Sequence, residues 1–294
     1  MTVPPNDGIY PRIPDDVYHG DHDSLSSSGA RTLLNLTPAE FDEQRQQPPK
    51  PKPQYDFGHA AHKMVLGEGA QIAVLDPKKH GLTKDGEVSA KPAATAMWKE
   101  AEAKARGEGK SCITKEQMQT AQRMAGNVFA HPLAARLLAN GSAELSCYWH
   151  DQATSMRLRS RPDFLPEVGN GRPIILDYKT ATSASPAHFA KQAADFGYHN
   201  QAAWYIDGLA AAAGVEGAAF LFIVQQKTAP YLVSICQLLP DHVELGRQQN
   251  RRAIDLYAQC VESKTWPGYD TGIHNVELPA WYVKQLESQL ELAA

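Results

Sequence analysis

Two strand-like runs joined by a turn-rich linker constrain the fold of this chain more than any other feature. Residues 156–161 alternate between polar and apolar positions and lead to Asp163, and the apolar run 173–176 leads to Asp177. The linker between them is rich in Gly, Asn and Pro, which are typical of turns. We therefore predict that residues 155–161 and 174–178 form a hairpin that brings Asp163 close to Asp177.

The run Asp177-Tyr178-Lys179 places two charged side chains on one face of a strand, because residues two apart point to the same side. Two carboxylates and a backbone carbonyl are hard oxygen ligands of the kind that Mg²⁺ and Mn²⁺ prefer. A lysine beside such an ion can position a water molecule and stabilise charge on a phosphate. The alternative is an exposed ion pair worth about 0–1 kcal/mol. A bare D-x-K pattern is common by chance, so its neighbours must decide.

The next segment has the pattern of two helices. The Ser- and Thr-rich residues 181–186 are a start signal for a helix over 187–195. In the helix that follows, Gln201 and Tyr205 are four residues apart and therefore share a face. With Asp163, Asp177 and Lys179, this pattern resembles the PD-(D/E)xK nuclease superfamily, specifically its RecB-like branch with a Q-x-x-x-Y helix. Within that branch the chain is most similar to the RecE (exonuclease VIII) type of phage or prophage recombination exonuclease.

The resemblance extends from about residue 25 to residue 282 and implies roles for individual residues. The implied metal ligands are Asp163, Asp177, His62 and the backbone carbonyl of Tyr178; the implied catalytic lysine is Lys179; the orienting residues are Gln201 and Tyr205; Glu144 is a further acidic helper. On the sequence alone, nothing distinguishes His62 from an ordinary structural histidine of a helix. Its spacing from His59 does not match the H-E-x-x-H pattern of zinc proteases.

Three arginines, Arg157, Arg159 and Arg161, lie on one face of the strand before Asp163. They are candidates for DNA binding, because a row of guanidinium groups leading to a metal site would form a track for phosphates. Simple ion pairing within the chain is an equally open alternative.

The order of elements predicts an α/β fold, a restriction-endonuclease-like core with a central mixed β-sheet flanked by helices. Strands are predicted over 143–150, 155–161, 174–178, 217–225 and 231–238, and helices over 26–35, 55–66, 114–138, 187–195 and 241–263. Ser26 is a candidate helix cap, and Pro132 opens the second helix of the 114–138 pair.

We predict one nuclease domain spanning residues 1–294. Residues 1–24 are expected to form an extended arm, 67–110 an insertion that either contacts DNA or is a solvated loop and helix, and 114–265 the catalytic core. The proline-rich residues 46–53 are expected to form an exposed, polyproline-like loop. The tail, 266–294, is expected to pack back on the core through Trp266, Tyr269, Trp281 and Tyr282 and to end in a helix.

Composition excludes several classes of protein. The net charge of −4 and the pI of about 6.3 exclude a chain that coats nucleic acid by overall charge, so any DNA contact must be local. The four cysteines are scattered, which predicts neither zinc fingers nor the iron–sulfur cluster of some RecB-like nucleases. No Walker A motif is present, so no ATP is expected. Without a signal-like start or a long apolar run, a cytoplasmic protein with no membrane contact is expected.

The resemblance implies a Mg²⁺-dependent exodeoxyribonuclease, with Mn²⁺ as an alternative ion. Such an enzyme acts on the ends of double-stranded DNA and leaves single-stranded tails for a recombination or single-strand annealing protein. RecE-type enzymes are rings, so a homo-oligomer is expected. Two alternatives remain open: an endonuclease or repair nuclease on the same core, and a non-catalytic module for DNA binding or assembly.

Overall fold

The computed structural model of the protein describes residues 2–47 and 53–293. Most of the predicted proline-rich loop, residues 48–52, lies outside the described residues. In the described part of the chain, no helix combines the length and the apolar character needed to cross a membrane.

The described strands are short, apart from two of eight residues. They are β1 (Gly8–Tyr10), β2 (Leu25–Ser26), β3 (Ile72–Leu75), β4 (Ser111–Thr114), β5 (Gly141–Ala143), β6 (Ser146–His150), β7 (Arg157–Ser160), β8 (Phe164–Pro166), β9 (Ile174–Ala181), β10 (Ala219–Gln226) and β11 (Val233–Cys236). The helices of the described residues are α1 (Asp15–His19), α2 (Ser27–Asn35), α3 (Pro38–Gln46), α4 (Pro53–Leu66), α5 (Pro77–His80), α6 (Ala96–Gly107), α7 (Lys115–Ala130), α8 (Pro132–Leu138), α9 (Pro186–Asp195), α10 (Tyr198–Ala213), α11 (Pro240–Ser263) and α12 (Ala280–Ala293).

The strands form two main sheets and one small sheet. A five-stranded sheet has the order β11-β10-β9-β8-β5, and a four-stranded sheet has the order β1-β6-β7-β2. In the five-stranded sheet β9 and β10 run parallel, whereas the other neighbours are antiparallel. Strands β3 and β4 form a separate parallel pair. The predicted α/β class, with a mixed sheet flanked by helices, is confirmed.

One long hairpin, residues 141–166, belongs to both main sheets. Strand β5 pairs with β8 and β6 pairs with β7, and both ladders keep the same register. Between the ladders, the backbone N–H of Glu144 donates to the carbonyl of Asp163 at 3.1 Å. Glu144 has a φ of 53°, a left-handed value that turns the chain sharply. The hairpin therefore bends at Glu144 and Asp163, and its two halves diverge into different sheets.

This bend corrects the predicted pairing of strands. The antiparallel partner of β9 in the structure is β8, with Phe164 opposite Leu176. Strand β7, which covers most of the predicted run 155–161, lies in the four-stranded sheet instead. The predicted proximity of Asp163 to β9 still holds, because Asp163 directly precedes β8.

Helices cover both faces of the five-stranded sheet. Ile175 of β9 belongs to a core cluster with α10 and α11, whereas Leu176 and Tyr178 belong to a cluster with α4 and α7. Since neighbouring residues of a strand point to opposite faces, Asp177 and Lys179 share the side of α10. The predicted alternation along β9 is therefore confirmed.

Most of the predicted helix starts are also confirmed. The Ser26 hydroxyl accepts a hydrogen bond from the Gly29 N–H at 3.1 Å and caps α2. Pro132 is the first residue of α8. These signals are local, so the sequence identifies them without knowledge of the tertiary structure.

The sequence predicted an extended N-terminal arm, but the structure shows that the arm is extended only in part. Strand β1 pairs with β6, and α1 follows it. Ile13 and Tyr18 pack against Tyr148 in a small core of their own. These contacts are with residues far along the chain, which the composition of residues 1–24 does not indicate.

Residues 67–110 form a folded excursion that contains β3, α5 and α6. Its Trp98 is buried, and the Arg106 guanidinium lies 2.7 Å from the carboxylate of Asp56 on α4. The His59 ring, also on α4, lies 2.8 Å from the Ser111 hydroxyl at the start of β4. Residues 67–110 and the strand that follows them therefore pack against α4, the helix that carries His62.

The C-terminal tail packs on the core only at its start. Trp266 lies 5.8 Å, centroid to centroid, from an aromatic ring of α3 and from one of α11. Tyr269 is 81% exposed and Trp281 is 68% exposed, and Tyr282 is also exposed, so the predicted packing of these three is wrong. The run between Trp266 and α12 is rich in polar residues, Gly and Pro and lacks an apolar period that would return the helix to the core.

Candidate active site

The bend of the long hairpin presents two carboxylates side by side. Glu144 lies between β5 and β6, and Asp163 lies directly before β8. The carboxylate of Asp163 accepts a hydrogen bond from the backbone N–H of Tyr178 at 2.8 Å, which fixes it against β9. The Oε2 atom of Glu144 lies 3.9 Å from the Arg161 Nε. The divergence of the strands is what leaves both carboxylates free to face a common space.

Helix α4 brings His62 to these two carboxylates. Its Nε2 atom lies 3.2 Å from Asp163 Oδ2 and 3.5 Å from Glu144 Oε1. Ligand atoms of the three residues all lie within 4.8 Å of one another. Burial opposes the charge on His62, but Asp163 and Glu144 outweigh it and raise the pKa of the imidazole to about 9. In the metal-free protein at neutral pH, His62 is therefore a cation between two acids.

The three carboxyl groups of the site differ in their pKa. Burial and the nearby Asp163 raise the pKa of Glu144 to about 7. Burial also favours a neutral Asp163, but His62 and Lys179 outweigh it and hold its pKa below the ordinary value. Burial raises the pKa of Asp177 in spite of the ion pair with Lys179. Asp163 is accordingly the carboxyl group that keeps its charge most readily.

Asp177, Lys179 and Gln201 form a second group on the α10 side of β9. Asp177 is fully buried, and its Oδ1 accepts a hydrogen bond from Gln201 Nε2 at 2.6 Å. The Lys179 Nζ lies 2.7 Å from Asp177 Oδ2. These two atoms form a close ion pair, and Oδ2 has no further hydrogen-bond partner among the described residues. A carboxylate oxygen with one partner can still accept from another ligand.

Lys179 is charged at neutral pH. Burial opposes the charge, but Asp177 and Asp163 outweigh it and raise the pKa of the ammonium group. The Nζ atom also lies 4.9 Å from the ring centroid of Tyr198, a distance typical of a cation–π contact.

Two tyrosines complete the predicted set. The hydroxyl of Tyr178 donates to Gln225 at 2.5 Å on the opposite side of β9, and the ligand role of its carbonyl stays a prediction. Tyr205 lies one turn after Gln201 on α10, where it lines a small pocket together with Asp163. Burial raises the pKa of Tyr205 well above its ordinary value, so its hydroxyl remains a neutral donor.

The donor set fits a hard divalent cation. Glu144 and Asp163 supply oxygen atoms, His62 supplies a nitrogen, and the buried Asp177 Oδ2, which is paired with Lys179, is a further oxygen. Carboxylates suit Mg²⁺ and Mn²⁺, whereas an imidazole ligand is accepted more readily by the transition ions. These residues can therefore hold a divalent cation, and the identity of the ion stays a prediction.

A cleft of about 1540 Å³ opens over the site. Its lining includes His62, Glu144, Lys179, Arg31 and Phe196. Asp163 lines a smaller pocket that shares Glu144 and Arg31 with this cleft.

Arg157, Arg159 and Arg161 hold the N-terminal arm. Each donates to a backbone carbonyl of the arm, and the guanidinium of Arg161 lies 3.9 Å from the ring centroid of Tyr18. Arg159 and Arg161 are only 7% and 8% exposed. Of the two roles that the sequence left open, the internal one is seen in these contacts with the arm, and DNA binding by the three arginines stays a prediction.

Two residues at the site were not singled out from the sequence. Arg31 of α2 donates to the carbonyls of Phe196 and Gly197 at 3.0 and 3.2 Å. Tyr198 lies beneath the Lys179 ammonium and three residues before Gln201, which is the spacing of neighbours on one helix face. That spacing could have identified Tyr198, whereas nothing local indicates the contact of Arg31.

The comparisons with known proteins agree with this fold. No curated protein matches the sequence. A candidate exonuclease from Eubacterium rectale, known from a crystal structure, superposes with a TM-score of 0.57 at 8% identity, over 92% of this chain and 98% of that chain. The structure of SSO0001 covers 69% of this chain and 85% of its own at 12% identity, but its TM-score of 0.28 is too low to support an argument.

The match at the level of sequence is with a family described as a PDDEXK-like domain of unknown function (DUF3799), over residues 26–277. The resemblance to the PD-(D/E)xK superfamily is thereby confirmed, and the closer resemblance to the RecE type stays a prediction. With a match over most of its length and a site at the bend between its two sheets, the chain belongs to this family of PDDEXK-like domains.

Proposed function

We propose that the chain is a Mg²⁺-dependent exodeoxyribonuclease, with Mn²⁺ as an alternative ion, that hydrolyses phosphodiester bonds from the ends of duplex DNA. The observation that carries the proposal is the convergence of His62, Glu144 and Asp163 within 4.8 Å, beside the Asp177–Lys179 ion pair, with His62, Glu144 and Lys179 lining an open cleft. Membership of a PDDEXK-like family supports a nuclease. The name of the Eubacterium rectale protein, which shares the fold, supports an exonuclease.

The cation would be held by His62, Glu144 and Asp163, with the Oδ2 atom of Asp177, which faces Lys179, as a further acceptor. When bound, a divalent ion polarises a phosphate oxygen and lowers the pKa of a coordinated water molecule. Holding the cation requires His62 to give up its proton, since only the neutral imidazole has a lone pair to donate.

Lys179 supplies a fixed positive charge beside Asp177, where it would orient the attacking water and offset the negative charge that develops on the phosphate. Gln201 holds Asp177 Oδ1 by its hydrogen bond and so keeps Oδ2 toward the lysine. The neutral hydroxyl of Tyr205, on the same face of α10, is placed to donate to the substrate.

The biological setting of this activity follows the RecE-type resemblance. In that setting the product is a single-stranded tail, which passes to a single-strand annealing protein during recombination in a phage or prophage. The chain works as a homo-oligomeric ring in the cytoplasm and needs neither ATP nor an iron–sulfur cluster.

Digestion of linear and covalently closed circular duplex DNA tests the proposal. With Mg²⁺ we expect loss of the linear DNA alone, and with EDTA we expect no loss of either form. Cutting of the circle would replace the exonuclease with an endonuclease on the same core. Absence of any Mg²⁺-dependent cutting would leave a DNA-binding or assembly module.

A further inference from the structure

We propose that Phe196 and Tyr198 form a base-stacking subsite at the rim of the cleft, which binds an unpaired nucleotide of the strand being cut. This inference rests on the proposed nuclease function and adds the form of the substrate. The strand would reach the catalytic residues with at least one base out of the duplex.

Phe196 presents a large apolar ring to solvent at the cleft. Its side chain is 57% exposed and lines the cleft. Its ring stacks on Tyr198, with the centroids 5.9 Å apart and an angle of 28° between the planes. Tyr198 in turn stacks on the buried Phe222 at 5.5 Å and 29°. Phe189 also stacks on Tyr198, at 5.8 Å and 25°. The aromatic column formed by these rings connects the core of the domain to the cleft.

The turn that carries Phe196 is held in place. Arg31 donates to the carbonyls of both Phe196 and Gly197, at 3.0 and 3.2 Å. Gly197 has a φ of 63°, and a Cβ atom there would lie 2.8 Å from Arg31 Cδ. Because the turn and the ring beneath it are already ordered, a planar ligand that stacks on Phe196 pays little conformational entropy.

The column lies beside the catalytic lysine. The Lys179 Nζ is 4.9 Å from the ring centroid of Tyr198, so Lys179 and Phe196 both contact the ring of Tyr198. A base that stacks on Phe196 therefore belongs to a nucleotide close to the phosphate under attack.

The chemistry of a nucleobase suits this surface. Stacking on an aromatic side chain tolerates any sequence, since every base has a π-face. Within a duplex both faces of a base are covered by its neighbours, so only a terminal or unpaired base can offer a free face to Phe196. The ligand is therefore a nucleotide of a frayed or single-stranded end.

An exposed phenylalanine is common on protein surfaces, and this chain contains a matched example. Phe129 on α7 is 49% exposed and does not line the cleft. It has the same side chain and a similar exposure without the column, the fixed turn or the lysine. Phe129→Ala is consequently the control for Phe196→Ala.

The experiment uses the full chain, Mg²⁺, and a single-stranded oligonucleotide with a terminal 2-aminopurine and phosphorothioate linkages that resist cleavage. Stacking quenches 2-aminopurine fluorescence. We expect the wild type to quench the fluorescence. The Phe196→Ala variant should lose this quenching and bind the oligonucleotide roughly tenfold more weakly. Phe196→Trp and Phe129→Ala should behave as the wild type.

Equal quenching and affinity in Phe196→Ala and the wild type would overturn the subsite, as would absence of quenching by the wild type. Cleavage of the same oligonucleotide with ordinary linkages is measured in parallel. Quenching that depends on Phe196 in a protein that never cuts DNA would support the subsite and refute the nuclease. Cutting of DNA without such quenching would support the nuclease and refute the subsite.

Discussion

Glu144 and Asp163 face each other across the bend of one β-hairpin, where the Glu144 N–H donates to the Asp163 carbonyl at 3.1 Å. On one side of this contact the hairpin belongs to the five-stranded sheet, and on the other side it belongs to the four-stranded sheet. The same bend that separates the sheets therefore brings two carboxylates to His62. The site is a consequence of how the two sheets are joined.

Metal binding should release protons. In the metal-free protein the pKa of His62 is raised to about 9 and that of Glu144 to about 7, so at pH 7 His62 holds a proton and Glu144 holds one in part. A bound cation must displace both protons, and the apparent affinity should therefore rise as the pH rises toward 9. Calorimetric titration with Mn²⁺ in buffers of different ionisation enthalpy measures the protons released.

The Glu144→Gln variant is the control for this measurement, because it removes one carboxyl group and leaves His62 in place. We expect weaker Mn²⁺ binding and fewer protons released than in the wild type. Binding of Mn²⁺ with no proton release at pH 7 would contradict the assignment of His62 as a ligand.

Lys179→Ala should slow DNA cleavage by roughly two orders of magnitude, because it removes the charge that stabilises the reacting phosphate. The affinity for Mn²⁺ should stay within a few fold of the wild-type value, since the lysine is not a ligand. Single-turnover cleavage rates and metal titrations measure the two effects separately. Lys191→Ala, an exposed lysine outside the cleft, should leave both unchanged. A near-normal rate for Lys179→Ala would reduce the lysine to an ion-pair partner of Asp177.

Arg161→Ala should lower the free energy of unfolding by about 2–3 kcal/mol, because it removes a buried guanidinium that hydrogen-bonds Ser146, Asp15 and the Ile13 carbonyl. Arg172→Ala, at an exposed arginine, should change it by about 0.5 kcal/mol or less. Urea denaturation measures both. If Arg161→Ala kept its stability but bound DNA more weakly, the arginines would have the DNA-binding role instead.

Gly246→Ala should destabilise the contact between α10 and α11. A Cβ atom at Gly246 would lie 2.3 Å from the carbonyl oxygen of His199, which is backbone and cannot move aside cheaply. We expect a loss of about 1–3 kcal/mol in the free energy of unfolding, as is typical of overpacking. Gly126 on α7 has open space around its Cα, so Gly126→Ala should instead stabilise the protein by about 0.5–1 kcal/mol. Equal effects of the two variants would mean that the helices do not meet as closely at Gly246.

The parts of the site that the sequence predicted depend on local rules. The alternation of a strand places Asp177 and Lys179 on one face and Tyr178 on the other, and the structure agrees. The hydrogen bond from Gln201 to Asp177 fits the expected orienting role of the α10 face. Ser26 and Pro132 mark helix starts by side-chain and backbone chemistry alone.

The parts that the sequence did not predict depend on contacts between distant residues. The bend depends on the left-handed backbone conformation of Glu144. Glycine is the usual sequence signal for that conformation, and this position is not a glycine. The three arginines follow a strand period, but their partners lie some 140 residues earlier in the chain, in the arm. The tail contains aromatic residues that suggest packing, yet Tyr269 and Trp281 are exposed.

The most direct test of the account is the digestion of linear duplex DNA by the wild type and by Asp177→Asn, each with Mg²⁺ and with EDTA. Asparagine keeps the volume of the buried Asp177 and an oxygen that can accept the hydrogen bond from Gln201, and it removes the charge beside Lys179. The account predicts digestion by the wild type with Mg²⁺ and none in the other three reactions. Equal digestion by Asp177→Asn, or no digestion by the folded wild type in Mg²⁺ or Mn²⁺, would contradict it.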